Sequence, residues 1–131
     1  MDNQQKIKEL QEQIEALKAQ EHADYDWDEA PVICEINGYR WFFGQEADEE
    51  MTWHEAVEWC KSVGGELPPR DILLQCYMNE GIRPLLNPEW YWSSTEFNAS
   101  FAWRQNFSTG YNYGTFKDYS YSVRAVNRVK I

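Results

Sequence analysis

The chain has 131 residues, 22 acidic against 12 basic, and a formal net charge of -10. That length holds one domain and a short appendage, and an aromatic share of 16%, with seven Trp and eight Tyr, supplies enough core material to rule out a disordered chain. No run of apolar residues is long enough to span a bilayer, so membrane insertion is not expected. Sixteen of the acids lie at or before Glu58, and the basic residues of the tail form no coherent stripe, so nucleic acid is not an expected partner.

The first element is a helix over 1–23. Ile7, Leu10, Ile14 and Leu17 repeat with 3-4-3 spacing, an a/d seam with Ile at a and Leu at d. The seam spans only about two heptads, and Asn3 and Asp24 occupy the adjoining d positions. Such a helix is marginal alone. It is expected to self-associate through these four residues as a short coiled coil, as a dimer or a trimer, or to dock on a partner. The same stretch is polar and has no apolar h-region, so no secretory signal is expected. The expected location is the cytoplasm of the producing bacterial cell or a virus particle assembled there.

Residues 24–31 read as an acidic linker ending at Pro31, with Tyr25 and Trp27 available to tuck back onto the domain that follows. That domain covers 32–131. Val32 to Ile36, Asn37-Gly38 and Tyr39 to Phe43 form a hairpin signature, because Asn-Gly supplies the positive φ angles of a type I′ turn. Gln45 to Glu50 reads as an acidic loop. Thr52 and Glu55 make a capping box that starts a helix with Trp53, Ala56, Val57 and Cys60 inward, and Gly64-Gly65 ends it. A second helix is predicted from about Asp71 to Asn79, with Ile72, Leu73, Cys76 and Tyr77 inward. Four short strands follow: Tyr91 to Ser94, Ser100 to Phe107, Tyr111 to Phe116 and Tyr121 to Val129. Two helices among short, mainly antiparallel strands give an α+β class.

Trp53, Ala56 and Cys60, then Gly65 and Leu67-Pro68, Tyr91-Trp92-Ser93-Ser94, Ala102-Trp103, Phe107, Gly110 and Val123-Arg124 occur in an order that closely resembles the C-terminal domain family of the collagen-like adhesin Lcl. The resemblance runs from about Val32 to Val129. It implies a C-type-lectin-like fold and a binding role: cell-surface or matrix glycans in the adhesin, varied ligands in related domains of bacteria and their phages. These 131 residues contain no collagen-like Gly-X-Y repeat, unlike the adhesin. The Glu-Pro-Asn and Trp-Asn-Asp motifs of calcium-dependent lectins are also missing, and Asn87-Pro88-Glu89 has similar residues in reversed order, so no calcium dependence and no cofactor are expected.

From Trp90 to Tyr121, 12 of 32 residues are aromatic and only Glu96, Arg104, Lys117 and Asp118 are charged. Alternation puts Trp103, Gln105 and Phe107 on one face and Arg104 and Asn106 on the other. The family pattern points Trp103 and Phe107 inward, which turns Arg104 and Asn106 outward. Asn112 falls at a usually apolar inward position and leaves Tyr111 and Tyr113 exposed. The candidate ligand-binding residues are therefore Asn98, Ser100, Phe101, Arg104, Asn106, Tyr111, Tyr113, Phe116 and Tyr119. Tyr gives large contact area at small entropic cost, and Asn and Ser adapt their hydrogen bonds.

Catalytic chemistry is not expected. His22 and His54 adjoin no nucleophile pattern, and Cys34, Cys60 and Cys76 show no metal spacing. A formylglycine-generating activity on related folds needs a reactive cysteine pair, whereas Cys60 and Cys76 sit in apolar helix stripes. The expected function is a phage structural or receptor-binding tip or decoration protein that recognises a cell-surface glycan or protein. The alternative is an intracellular inhibitor or adaptor that captures a protein through its acidic N-terminal half.

Overall fold

The computed structural model describes residues 3–23 and 25–131, with the side chains of 3–13 and 25–131. Helix α1 (Asn3–Ala23) leads into a 3₁₀ turn at Trp27–Glu29. Next come strands β1 (Val32–Ile36) and β2 (Tyr39–Glu46), helices α2 (Trp53–Ser62) and α3 (Arg70–Met78), and a second 3₁₀ turn at Arg83–Leu85. Strands β3 (Trp90–Glu96), β4 (Phe101–Asn106), β5 (Asn112–Phe116) and β6 (Arg124–Lys130) complete the chain. The class is α+β, with three helices among the described residues and two small antiparallel sheets, β1-β2-β6 and β3-β4-β5.

Local chemistry sets most of these boundaries. Asn37 and Gly38 have φ of 53° and 82°, the two positive values of a type I′ turn, and Ile36 pairs with Tyr39 across it. The Glu55 carboxylate accepts from both the backbone N–H and the hydroxyl of Thr52, at 3.0 and 2.9 Å, which fastens the start of α2. At its end Gly64 takes a φ of 80°. The Gly64 N–H donates to the Lys61 carbonyl at 3.1 Å and the Gly65 N–H to the Cys60 carbonyl at 2.9 Å. That pair of bonds is the Schellman closure. At the start of α3 the Arg70 N–H donates to Thr95 Oγ1, and the Pro69 carbonyl accepts from the Ile72 and Leu73 N–H groups.

Strands β4 and β6 begin later than expected, at Phe101 and Arg124, Tyr77 is only partly buried, and two further expectations need adjustment. Strand β2 continues through Gln45 to Glu46, so the acidic loop starts later, because Glu46 stays paired with Arg124 of β6. On α2, Trp53, Ala56 and Cys60 are buried as expected, but Val57 only packs against the edge of the core.

The core has two parts that share β3 and β6. Tyr91, Phe107 and Val126 pack with Ile33, Trp41, Phe43, Ile72, Leu73 and Cys76 between the first sheet and α3. Trp92, Ala102, Val123 and Ala125 pack with Trp53, Ala56, Cys60, Val63 and Leu67 around α2. Adjacent residues Tyr91 and Trp92 thus serve opposite faces, as strand alternation requires. The second sheet lies between α3 on one face and α2 on the other. Beyond those helices, parts of both faces are left open.

Candidate functional site

Register assigns the late aromatics to faces. Cross-strand pairs Tyr91–Gln105–Asn112, Trp103–Gly114 and Phe101–Phe116 lie on the α3 side of the second sheet. Pairs Trp92–Arg104–Tyr113 and Ala102–Thr115 lie on the α2 side. The nine candidate residues are therefore not one patch.

On the α3 side the rings form a continuous row. The Arg70 guanidinium lies 3.7 Å from the centre of the Trp103 ring. Phe97 packs edge-on against Trp103 at 5.9 Å and Phe101 at 6.5 Å. Phe101 stacks on Phe116 at 4.3 Å, and Phe116 meets Tyr119 at 5.6 Å. Phe97, Phe116 and Tyr119 are 64%, 46% and 54% exposed. Trp103, expected inside, is half-exposed under Arg70: α3 begins at Arg70 and ends its cover of the sheet there, while Tyr91 and Gln105 fill the buried part of this face. Phe107 is buried as expected.

The α2 side carries Tyr111, Tyr113, Trp90 and Arg104. Tyr113 lies 5.9 Å from Tyr111 and 6.3 Å from Trp90, and both tyrosines are exposed. Arg104 does not project freely outward. Its guanidinium is held between Trp90 at 3.9 Å and Tyr121 at 4.7 Å, and its Nε is buried without a hydrogen-bond partner. Tyr121 is anchored in turn on Trp92 at 4.9 Å, and its hydroxyl lies 3.2 Å from Thr115 Oγ1.

Two candidate asparagines have their side-chain oxygens engaged in turns. Asn98 Oδ1 accepts from the N–H groups of Ser100 and Phe101, each at 2.9 Å. Asn106 Oδ1 accepts from Ser108 at 2.7 Å and Thr109 at 2.9 Å. These are Asx turns that shape the loops flanking β4. Ser100 is exposed, and its carbonyl accepts from the Lys117 N–H.

Lys117 and Arg70 were not singled out by the sequence. The Lys117 ammonium donates to Glu96 at 2.9 Å and to the Ala99 carbonyl at 3.0 Å, and lies 4.4 Å from the centre of the Trp53 ring. It ties the loop before β4 to α2 and is almost wholly buried, so its role is support. Arg70 could be found only once α3 was placed beside β4.

Among the described residues, His54 and the cysteines form no metal-binding cluster, and the side chain of His22 lies outside the described residues. His54 is exposed on α2, edge-on to Trp53. Burial pushes the Cys60 and Cys76 thiols up to about 12, which keeps both protonated near neutrality. Cys34 is half-buried on edge strand β1. On α1, Ile7 and Leu10 are exposed; the side chains of Ile14 and Leu17 lie outside the described residues. No helix of the described residues is long and apolar enough to cross a membrane.

Comparison with curated proteins yields no match. Residues 43–127 match the model of a family described as a domain of unknown function, DUF8780. The matched span runs from β2 into β6 and contains both open faces of the second sheet. Since it takes in well over half of the chain, the protein belongs to the DUF8780 family.

Proposed function

We propose that the protein is a non-enzymatic binding module of C-type-lectin-like architecture, and that it serves as a receptor-binding tip or decoration protein of a phage particle, recognising a bacterial cell-surface glycan or protein. The observation that carries the binding role is the aromatic row from Trp103 to Tyr119, open to solvent beyond the N-terminal end of α3. Contiguous exposed rings of this kind mark interaction surfaces. The lectin-like reading is supported by two helices on two small antiparallel sheets, with β1 and β6, from opposite ends of the domain, both paired to β2. It is also supported by the ordered markers that the sequence shares with the adhesin domain.

The test is capture from fractionated bacterial cells, envelope and cytosol separately, with the full chain as bait. Phe116→Ala with Tyr119→Ala is expected to weaken envelope capture by about tenfold or more, since exposed aromatic anchors dominate such interfaces. Tyr111→Ala with Tyr113→Ala, on the opposite face, is expected to leave it largely intact. Capture of a cytosolic protein that ignores both pairs but falls with salt would support the intracellular reading instead. The exposed acids Asp26, Asp28, Glu29, Asp48, Glu49 and Glu50 favour that outcome.

In the same reading α1 mounts the domain by self-association. The exposed Ile7 and Leu10 leave an apolar seam with no partner on the domain among the described residues. Leu10→Asp with Leu17→Asp is expected to reduce the assembly to a monomer in light scattering while the domain stays folded. An unchanged mass would reject the coiled coil.

A further inference from the structure

Between the start of α3 and the β4–β5 hairpin lies a cavity of about 300 Å³, lined by Arg70, Asp71, Leu74, Gln105, Gly110 and Asn112. It sits on the α3 face of the second sheet, two residues along β4 from Trp103, and so continues the aromatic row. Its volume is at the lower end of the range for small-molecule sites, the size for a single-ring ligand.

The polar groups around it form a definite set. Gln105 is fully buried; its Nε2 donates to the Gly110 carbonyl at 2.8 Å and its Oε1 accepts from Asn112 Nδ2 at 2.8 Å. This amide pair makes a fixed floor. Asn112 Oδ1 is then left buried with no partner, an acceptor lacking a donor. The Arg70 side chain makes no ion pair and no hydrogen bond among the described residues, only its stack on Trp103, so its donors are unengaged. Asp71 has one oxygen on the Ile72 N–H at 3.1 Å and the other with no partner. Leu74, 43% exposed, supplies an apolar wall. Gly110, with φ 82°, lies so close to Tyr77 that a Cβ there would approach its ring to 2.8 Å, which holds the hairpin against α3.

We infer that this cavity binds one uncharged, polyhydroxylated ring, the terminal unit of the ligand proposed above, on which reading this inference rests. Hydroxyl groups both donate and accept, and the lining carries unengaged donors on Arg70 and a free acceptor oxygen on Asp71, with the unpartnered Asn112 Oδ1 in the buried floor. The lining carries one cationic and one anionic residue, Arg70 and Asp71, so its formal charge is zero and neither an anion nor a cation is favoured by net charge. Leu74 takes the ring's C–H face.

The test is titration of the isotope-labelled full chain, followed by amide spectra. The probes are methyl glucoside, methyl mannoside, methyl galactoside, N-acetylglucosamine and myo-inositol, with glucuronate and glucosamine as charged comparisons. Saturable shifts at Leu74, Gly110 and the side-chain amides of Gln105 and Asn112 are expected for at least one neutral probe, with a dissociation constant on the order of 1 mM. Leu74→Trp, which fills the cavity from an exposed helix position, is expected to weaken binding more than about tenfold, with distant resonances unmoved. Asp71→Asn keeps an oxygen for the Ile72 N–H and is expected to weaken it by about tenfold. No saturable shift from any neutral probe, shifts that survive Leu74→Trp, or a preference for either charged sugar would overturn the inference. Phe116→Ala with Tyr119→Ala lies outside the cavity and is expected to leave sugar binding unchanged. Loss of cell capture in that pair, without any sugar shift, removes this inference and leaves the binding module standing; sugar binding without cell capture does the reverse.

Discussion

Glu46→Leu is expected to destabilise the domain by about 3 kcal/mol, through the charge it leaves behind. Glu46 ends β2 and joins three elements. It accepts from the Tyr91 hydroxyl of β3, from Asn87 Nδ2 at 2.7 Å, and lies 3.7 Å from the Arg124 guanidinium of β6. Arg124 is mostly buried, its Nε has no hydrogen-bond partner, and its guanidinium rests 3.9 Å from the Phe43 ring centre. Burial lowers the Arg124 pKa while Glu46 raises it back, and burial followed by the Glu46 hydrogen bond raises that of Tyr91. Each shift says that Glu46 compensates a desolvated partner. Leucine fills similar space but strands a buried cation, a phenol hydrogen and an amide together. In thermal unfolding the midpoint should fall by roughly 10 °C. Arg124→Met in the same chain should recover much of the loss, because removing both members of a buried pair is milder than removing one. A double variant as unstable as the sum of the singles would show that the ion pair is not what joins β2 to β6.

The same residues show where sequence stops being informative. The hairpin, the start of α2 and its glycine end were legible because each depends on groups within a few residues: Asn37-Gly38, Thr52 with Glu55, and Gly64-Gly65. The exposure of Tyr111 and Tyr113 was legible too, from alternation around the misfit Asn112. Grouping the late aromatics as one surface overlooks a signal that the sequence carries. Positions 113 and 116 differ by an odd number within one strand, which places them on opposite faces. The family resemblance points Trp103 inward, but the resemblance does not say how far α3 covers the sheet. Whether it is covered depends on where α3 begins, a contact of residues 33 apart in the chain. The Arg70 cavity is illegible for the same reason: its lining comes from α3 and the β4–β5 hairpin, and neither segment carries a local motif for it.

A local signal was available for the other long-range contact. Gly44 interrupts a strand, which often marks a close backbone or ring approach. A Cβ at Gly44 would lie 2.2 Å from Trp27 Cη2 and 2.6 Å from the Ala125 carbonyl oxygen. One at Gly65 would lie 2.6 Å from the Val126 oxygen and 2.9 Å from Trp27 Cζ2. Trp27 therefore seats its ring in a glycine-lined slot, and its Nε1 donates to the Val63 carbonyl at 3.1 Å. Tyr25 packs edge-on to it at 4.8 Å and donates its hydroxyl to the Phe43 carbonyl at 3.0 Å. The acidic segment before β1 is thus pinned to α2 and β2, outside the span that the family model matches. Trp27→Ala is expected to cost about 3 kcal/mol, the lower end for an aromatic truncation because the ring is half-buried. Gly44→Ala should cost a similar amount, about 3 kcal/mol, by overpacking against ring and backbone. Urea unfolding of the two singles and the double decides between the causes. If the ring fills the slot, Gly44→Ala must cost less in the Trp27→Ala background, yet still something, because the Ala125 oxygen stays in place. Strict additivity would mean that Trp27 does not occupy the slot in solution, and that the segment before β1 is free of the domain.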